Sequence, residues 1–182
     1  MKVGMTGHQD LGSSEDVAWI REHLHLLIED YHVTAGFTCL ADGADQLYAE
    51  LLASQAIPYT PVLPCRRYQE AFQDEGVRER FKRFLSAAPK IVWLDFDRPS
   101  RAAFFEAGKT VVDRSDMMFA VWDGNAARGL GGTADVVAYA LRRRKPVIYL
   151  NPVTHQIERP NQEQPLMSIR VCVETYHGHG GE

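Results

Sequence analysis

Along the first 150 residues, apolar runs of strand length alternate with amphipathic runs of helix length, which is the arithmetic of a parallel sheet with crossover helices. Strands are expected at Lys2–Thr6, Gly36–Leu40, Tyr59–Leu63, Lys90–Asp95, Met117–Trp122 and Pro146–Leu150. The fifth is almost continuously apolar, as a strand covered on both faces should be. Between the first two, Val17, Ile20, Leu24, Leu27, Ile28 and Tyr31 fall on one helical face behind a Ser13 or Ser14 cap. Further helices are expected from Ala44 to about Ala56, over Ala102–Asp113 and over Thr133–Arg144. Arg66–Ala88 reads as one or two amphipathic helices, with a break at Asp74-Glu75-Gly76. The expected fold class is therefore α/β: a single doubly wound domain over residues 1–150, with a mostly parallel sheet of about six strands. From Asn151 the apolar period fades, and 151–182, with Pro152, Pro160, Pro165 and a Gly/His-rich end, reads as an extension or tail.

A length of 182 residues fits one domain with a full core. The formal charge of −4 lacks the basic footprint of a duplex-DNA binder, so a nucleic-acid partner is not expected. The basic run Arg142–Lys145 sits where a helix C-terminus favours cations, away from the strand ends that gather ligands. Cys39, Cys65 and Cys172 are odd in number and scattered, which fits reduced cytosolic thiols and predicts no metal site. No secretory segment opens the chain and no apolar run reaches about 18 residues, so a cytoplasmic location without membrane contact is expected.

Ligands of open parallel sheets bind beyond the carboxyl ends of the strands. The residues expected there are Gly7, His8 and Gln9 after the first strand, Asp42, Gly43 and Asp45 after the second, and Arg66 after the third. The fifth strand delivers Asp123, Gly124 and then Gly131, Gly132 and Thr133 ahead of a helix. Glycine turns let backbone N–H groups approach an anion, and a helix N-terminus adds partial positive charge. Gly131-Gly132-Thr133 can hold a phosphate, or Thr133 can be an ordinary N-cap. His8 can serve a ligand as donor or general acid, or make a structural hydrogen bond. Asp42 and Asp45 can accept ribose hydroxyls, or serve as turn and first-turn residues. Arg66 can grip a phosphate or stand solvated.

Five segments in order resemble the SLOG superfamily of Rossmann-like nucleotide-ligand proteins, which includes DprA, the YpsA-like proteins and the LOG phosphoribohydrolases. They are Thr6-Gly7-His8, Ala41–Asp45, Leu63-Pro64 with Tyr68, Val112–Asp116 leading into Ala120–Gly124, and Gly131-Gly132-Thr133 with Tyr139-Ala140. The likeness is nearest to the YpsA-like branch. It implies a Rossmann-like domain and pairing through helices, for which Phe81, Phe84 and Leu85 offer a homodimer face unless they pack into their own core. LOG hydrolases carry a catalytic glutamate three residues after the threonine. Here that position is Val136, which can be neither acid, base nor nucleophile.

The leading expectation is thus cytosolic binding or sensing of a nucleotide or nucleotide-derived phosphorylated ligand, with no further cofactor. The alternative is an N-glycosidic hydrolase or transferase using Asp135, Asp45 or Asp123 in place of the missing glutamate. Single-stranded DNA binding in the manner of DprA ranks third.

Overall fold

The computed structural model describes residues 1–125 and 131–159. Its elements follow the chain as β1 (Lys2–Gly7), α1 (Ser14–Asp30), β2 (Ala35–Thr38), α2 (Ala44–Ser54), β3 (Tyr59–Leu63), α3 (Glu75–Ala87) and β4 (Val92–Trp93). Then come α4 (Arg101–Arg114), β5 (Met117–Val121), α5 (Thr133–Arg142), β6 (Val147–Asn151) and β7 (Gln156–Glu158). A single 3-10 turn, Tyr68–Ala71, precedes α3. The expectation of one or two helices over 66–88 thus resolves into this turn and one helix, which Asp74 caps by accepting the Val77 N–H at 2.9 Å.

The sheet has seven strands in the order β4-β3-β2-β1-β5-β6-β7, rather than the expected six. The additional strand is β7, antiparallel to β6 through Leu150 opposite Ile157; the other neighbours are all parallel. A three-residue strand bearing one partly buried isoleucine leaves little period-two signal, which hides it in the sequence. The fourth strand is shorter than Lys90–Asp95 because Phe96 and Asp97 turn back to accept the N–H groups of Arg66 and Arg67. Residues 160–182, the greater part of the expected tail, lie outside the described residues.

Period two along β5 divides the core. Met117, Phe119 and Val121 join the cluster containing residues of α1, α2 and α3, whereas Met118 and Ala120 join the one containing residues of α4 and α5. Phe81 and Phe84 are buried in the first cluster and Leu85 packs against it, so these residues form core rather than a free face. At the α1 entry the cap is Ser13: its side chain accepts the Asp16 N–H, while Asp16 accepts the Ser13 N–H at 2.8 Å, a reciprocal capping box.

The order of strands reverses direction between β1 and β5. Gly7 is in register with Val121, so the loops leaving these two strands start side by side. That is where a parallel sheet opens a crevice for a ligand.

Candidate functional site

Three chain crossings build the crevice. The His8 N–H donates to Val121 O at 3.0 Å, and the Ala44 N–H donates to His8 O at 3.1 Å, tying the loops after β1, β2 and β5 together. Gly43 stands at the tightest point, with φ +75°; a Cβ there would lie 2.3 Å from Gln9 O and 2.5 Å from His8 O. Only glycine allows that approach. Around the junction opens a cavity of about 1020 Å³.

Gly7, His8, Gln9, Asp45, Asp123, Gly131, Gly132 and Thr133 all line it. Asp42, Gly43, Arg66, Gly124 and Asp135 do not appear in its lining. Asp42 instead accepts from Arg80 at 3.3 Å, and Arg66 reaches outward to Asp95 at 3.4 Å with its side chain 73% exposed. Gly43 and Gly124 take positive φ, at +75° and +83°, as turn residues do. The Asp135 carboxylate accepts the Gly131 N–H at 2.9 Å, so it shapes the loop and withdraws one of the amides expected to face a phosphate.

What remains at the start of α5 is more specific. Gly132 is the N-cap residue and makes no side-chain cap. The N–H groups of Gly132, Thr133 and Ala134 have no partner among the described residues, and all three residues line the cavity. Gly131, at φ +89°, lies against α4, where a Cβ would come within 2.8 Å of Arg101 O.

Two carboxyls of the same wall are tuned in opposite directions. Burial pushes the Asp123 pKa up, but the Asn125 side-chain amide and backbone N–H, together with His8, outweigh it and hold the carboxyl at about 2. His8 Nε2 stands 3.0 Å from Asp123 Oδ1 and 3.2 Å from the Asp123 backbone nitrogen. One ring nitrogen cannot donate and accept together. A backbone N–H can only donate, so Nε2 is the acceptor of the Asp123 N–H in this hydrogen bond. Asp45 behaves oppositely: burial raises its pKa to about 6, against the lowering effect of hydrogen bonds from Thr38, Cys39 and Ala41. Its Oδ2 accepts the Cys39 N–H at 2.8 Å.

Several lining residues were not singled out from sequence. Tyr68, Phe72 and Phe104 form an aromatic end of the cavity, with ring centroids 5.0 Å apart for Tyr68–Phe72 and 6.1 Å for Tyr68–Phe104. Helical periodicity marks such residues as core and cannot say that one edge faces a void. Asn125 was legible in principle, since an Asp with Asn two residues on is an Asx-turn pattern. Pro152 and Val153 close another side, in the turn before β7. That turn is held by His155, whose Nε2 is 2.8 Å from Asp16 Oδ1 and whose ring stacks on Trp19 at 4.9 Å. Among the described residues, no group of three or more His, Cys, Asp or Glu side chains is placed to hold a metal ion, and no helix is long and apolar enough to cross a membrane.

No protein-family model and no curated protein matches the chain. Solved structures do. DNA processing protein A (DprA) from Streptococcus pneumoniae superposes with a TM-score of 0.61 at 13% identity, over 82% of this chain and 50% of that one. DprA from Helicobacter pylori, described for its single-stranded DNA binding mode, gives 0.60 at 17% identity, over 83% and 65%. The molybdenum cofactor binding protein from Rippkaea orientalis gives 0.53 at 19% identity, over 82% and 76%. The chain spans half to two thirds of the length of the DprA structures. Its fold is the Rossmann-like α/β fold that these structures share, as the ordered motifs led us to expect.

Proposed function

We propose that the protein binds a nucleotide or nucleotide-derived phosphorylated ligand in the crevice between the β1 and β5 loops, with the phosphate on the α5 N-terminus. One observation carries this reading: Gly132, Thr133 and Ala134 line the cavity, and their amides have no partner among the described residues. Such a helix end stabilises an anion by about 0.3–1 kcal/mol when exposed and up to about 2 when partly buried. The aromatic end at Tyr68, Phe72 and Phe104 suits a base or other flat ring. The Asp123-Gly124 strand end and the Gly-Gly-Thr loop support a place near the YpsA-like branch of this fold.

The N-glycosidic alternative has less support. Val136 stands where the glutamate would be, and Asp135, Asp45 and Asp123 each accept a loop-holding hydrogen bond. Single-stranded nucleic acid is kept as a second reading, because a structure similar to this chain is described by that binding mode. The same ground removes our expectation against a nucleic-acid partner.

Calorimetry with AMP, ADP-ribose and cyclic nucleotides tests the phosphate site. Gly132 has φ −76° and ψ 172°, a conformation that aspartate adopts freely and in which it caps helices well. Gly132→Asp is therefore expected to fold with undiminished stability and to lose binding at least tenfold, since it places a carboxylate where the phosphate would sit. Equal binding by wild type and variant would remove the phosphate loop from the proposal.

A further inference from the structure

Among the described residues, Asp45 is the one buried carboxyl, and the binding reading leaves it without a task. It is 5% exposed, stands in the first turn of α2 and lines the same cavity as His8 and Thr133. Its carboxyl braces the end of β2 and the turn that follows. Oδ2 accepts the Cys39 N–H at 2.8 Å, and the Thr38 hydroxyl and the Ala41 N–H also donate to it. The preceding residue, Ala44, gives its N–H to His8 O at 3.1 Å, so Asp45 follows directly on the junction of the β1 and β2 loops.

Most ionisable groups around it keep a fixed charge near neutral pH. The Cys39 thiol, on the β2 side, and the Tyr68 hydroxyl, before α3, share its stretch of wall, and burial pushes both well above their ordinary values. Burial raises Cys65, after β3, as well, so all three stay neutral. From α3, Arg80 donates to Gln46 at 3.2 Å and to Asp42 at 3.3 Å. Asp10 and Asp16 line the cavity at the β1–α1 loop, where hydrogen bonds from Ser13 and His155 hold Asp16 below the usual carboxylate range. Asp123, after β5, stays ionised. His8 is the group of this wall that can gain a positive charge.

Resting on the reading above that the cavity takes an anionic nucleotide, we propose that Asp45 makes this binding pH-dependent: it takes up a proton as the ligand enters, so the anion is held more tightly on the acid side of neutrality. The sign follows from charge. With the proton on, Asp45 is neutral and the wall carries one negative charge fewer. With it off, a buried carboxylate acts on the ligand through protein rather than through water and salt, where its field would be screened. The crossover falls near neutrality because burial has carried this carboxyl from 3.8 to about 6. Coupling is reciprocal, so the factor by which the proton tightens the ligand is the factor by which the ligand tightens the proton.

Calorimetry of the full chain with ADP-ribose, whose phosphates stay ionised, tests this between pH 5 and 7.5. Wild-type affinity should fall about threefold or more across that range. Near pH 6.5 binding should take up part of a proton, read from the enthalpy in buffers of different ionisation heat. Asp45→Asn stands in for the protonated carboxyl. It should match wild type near pH 5 and bind more tightly than wild type at pH 7.5, a gain that local damage to the fold would not produce. His8 and the ligand are common to both proteins, so the difference between the profiles belongs to Asp45. Carbon-13 NMR of the Asp45 carboxyl in wild type gives a measurement that needs no variant: its titration should move to higher pH when ADP-ribose is added. Binding by Asp45→Asn no tighter than wild type at pH 7.5, or a carboxyl titration that the ligand leaves in place, would overturn the role of Asp45 while leaving the binding reading intact. Absence of binding by ADP-ribose, AMP and cyclic AMP at every pH would overturn the two together.

Discussion

Asp45 and Asp123 are the same residue type on the same cavity, and their surroundings push them in opposite directions. Asp45 is 5% exposed, and its folded pKa of about 6 lies above the usual 3.8. The folded state thus holds this proton more tightly than the unfolded chain does. Its contribution to stability is full below about pH 4 and is lost as pH rises through about 6, with a limiting slope of about 1.4 kcal/mol per pH unit for one proton. Denaturant titrations of wild type and Asp45→Asn across pH 4 to 7 should show the difference between them shifting in the variant's favour as pH rises. Asp123 has the reverse sign. Its folded pKa of about 2 gives stability that is fully present well above pH 4 and lost as pH falls through 2, so within that window it adds to the slope only near pH 4.

At the scale of elements, the approach of α4 to α5 depends on one missing side chain. Gly108 lies in α4, and a Cβ on it would come within 2.4 Å of Val136 Cγ2 on α5. Replacing a helical glycine by alanine ordinarily gains about 1 kcal/mol, while overpacking costs roughly 1–3. With so short a contact the overpacking wins, and Gly108→Ala should lower stability by about 1–2 kcal/mol. In a Val136→Ala background the same change should be neutral or stabilising, a coupling that a double-mutant cycle with urea unfolding would measure. The β6–β7 turn depends on contacts of another kind: His155 on Asp16 and on the Trp19 ring. His155→Ala should speed amide hydrogen exchange across 151–158 while β1 and β5, at the centre of the sheet, stay protected.

For the molecule as a whole, the mononucleotide and the single-stranded readings differ in how binding should depend on salt. The affinity for a mononucleotide should fall with salt with a log–log slope near −1. A single-stranded oligonucleotide engaging several cations would give a much steeper dependence, at about −0.7 per phosphate contacted. Fluorescence titrations of both ligands between 50 and 200 mM salt would separate the two readings. Much of the architecture was legible before any coordinates, because strands and helices bury their faces at periods of 2 and 3.6, and those periods are written in residues such as Val17, Ile20, Leu24, Met117 and Phe119. Three glycine turns likewise announced where a parallel sheet would gather a ligand. Tertiary structure decided the rest. It turned Asp42 toward Arg80, spent Asp135 on the Gly131 amide, brought His8 to within 3.0 Å of a carboxylate 115 residues away, and placed Phe104 and Val153 on the cavity wall. Periodicity is a property of neighbours along the chain, whereas each of these pairings depends on which loops the sheet order sets side by side.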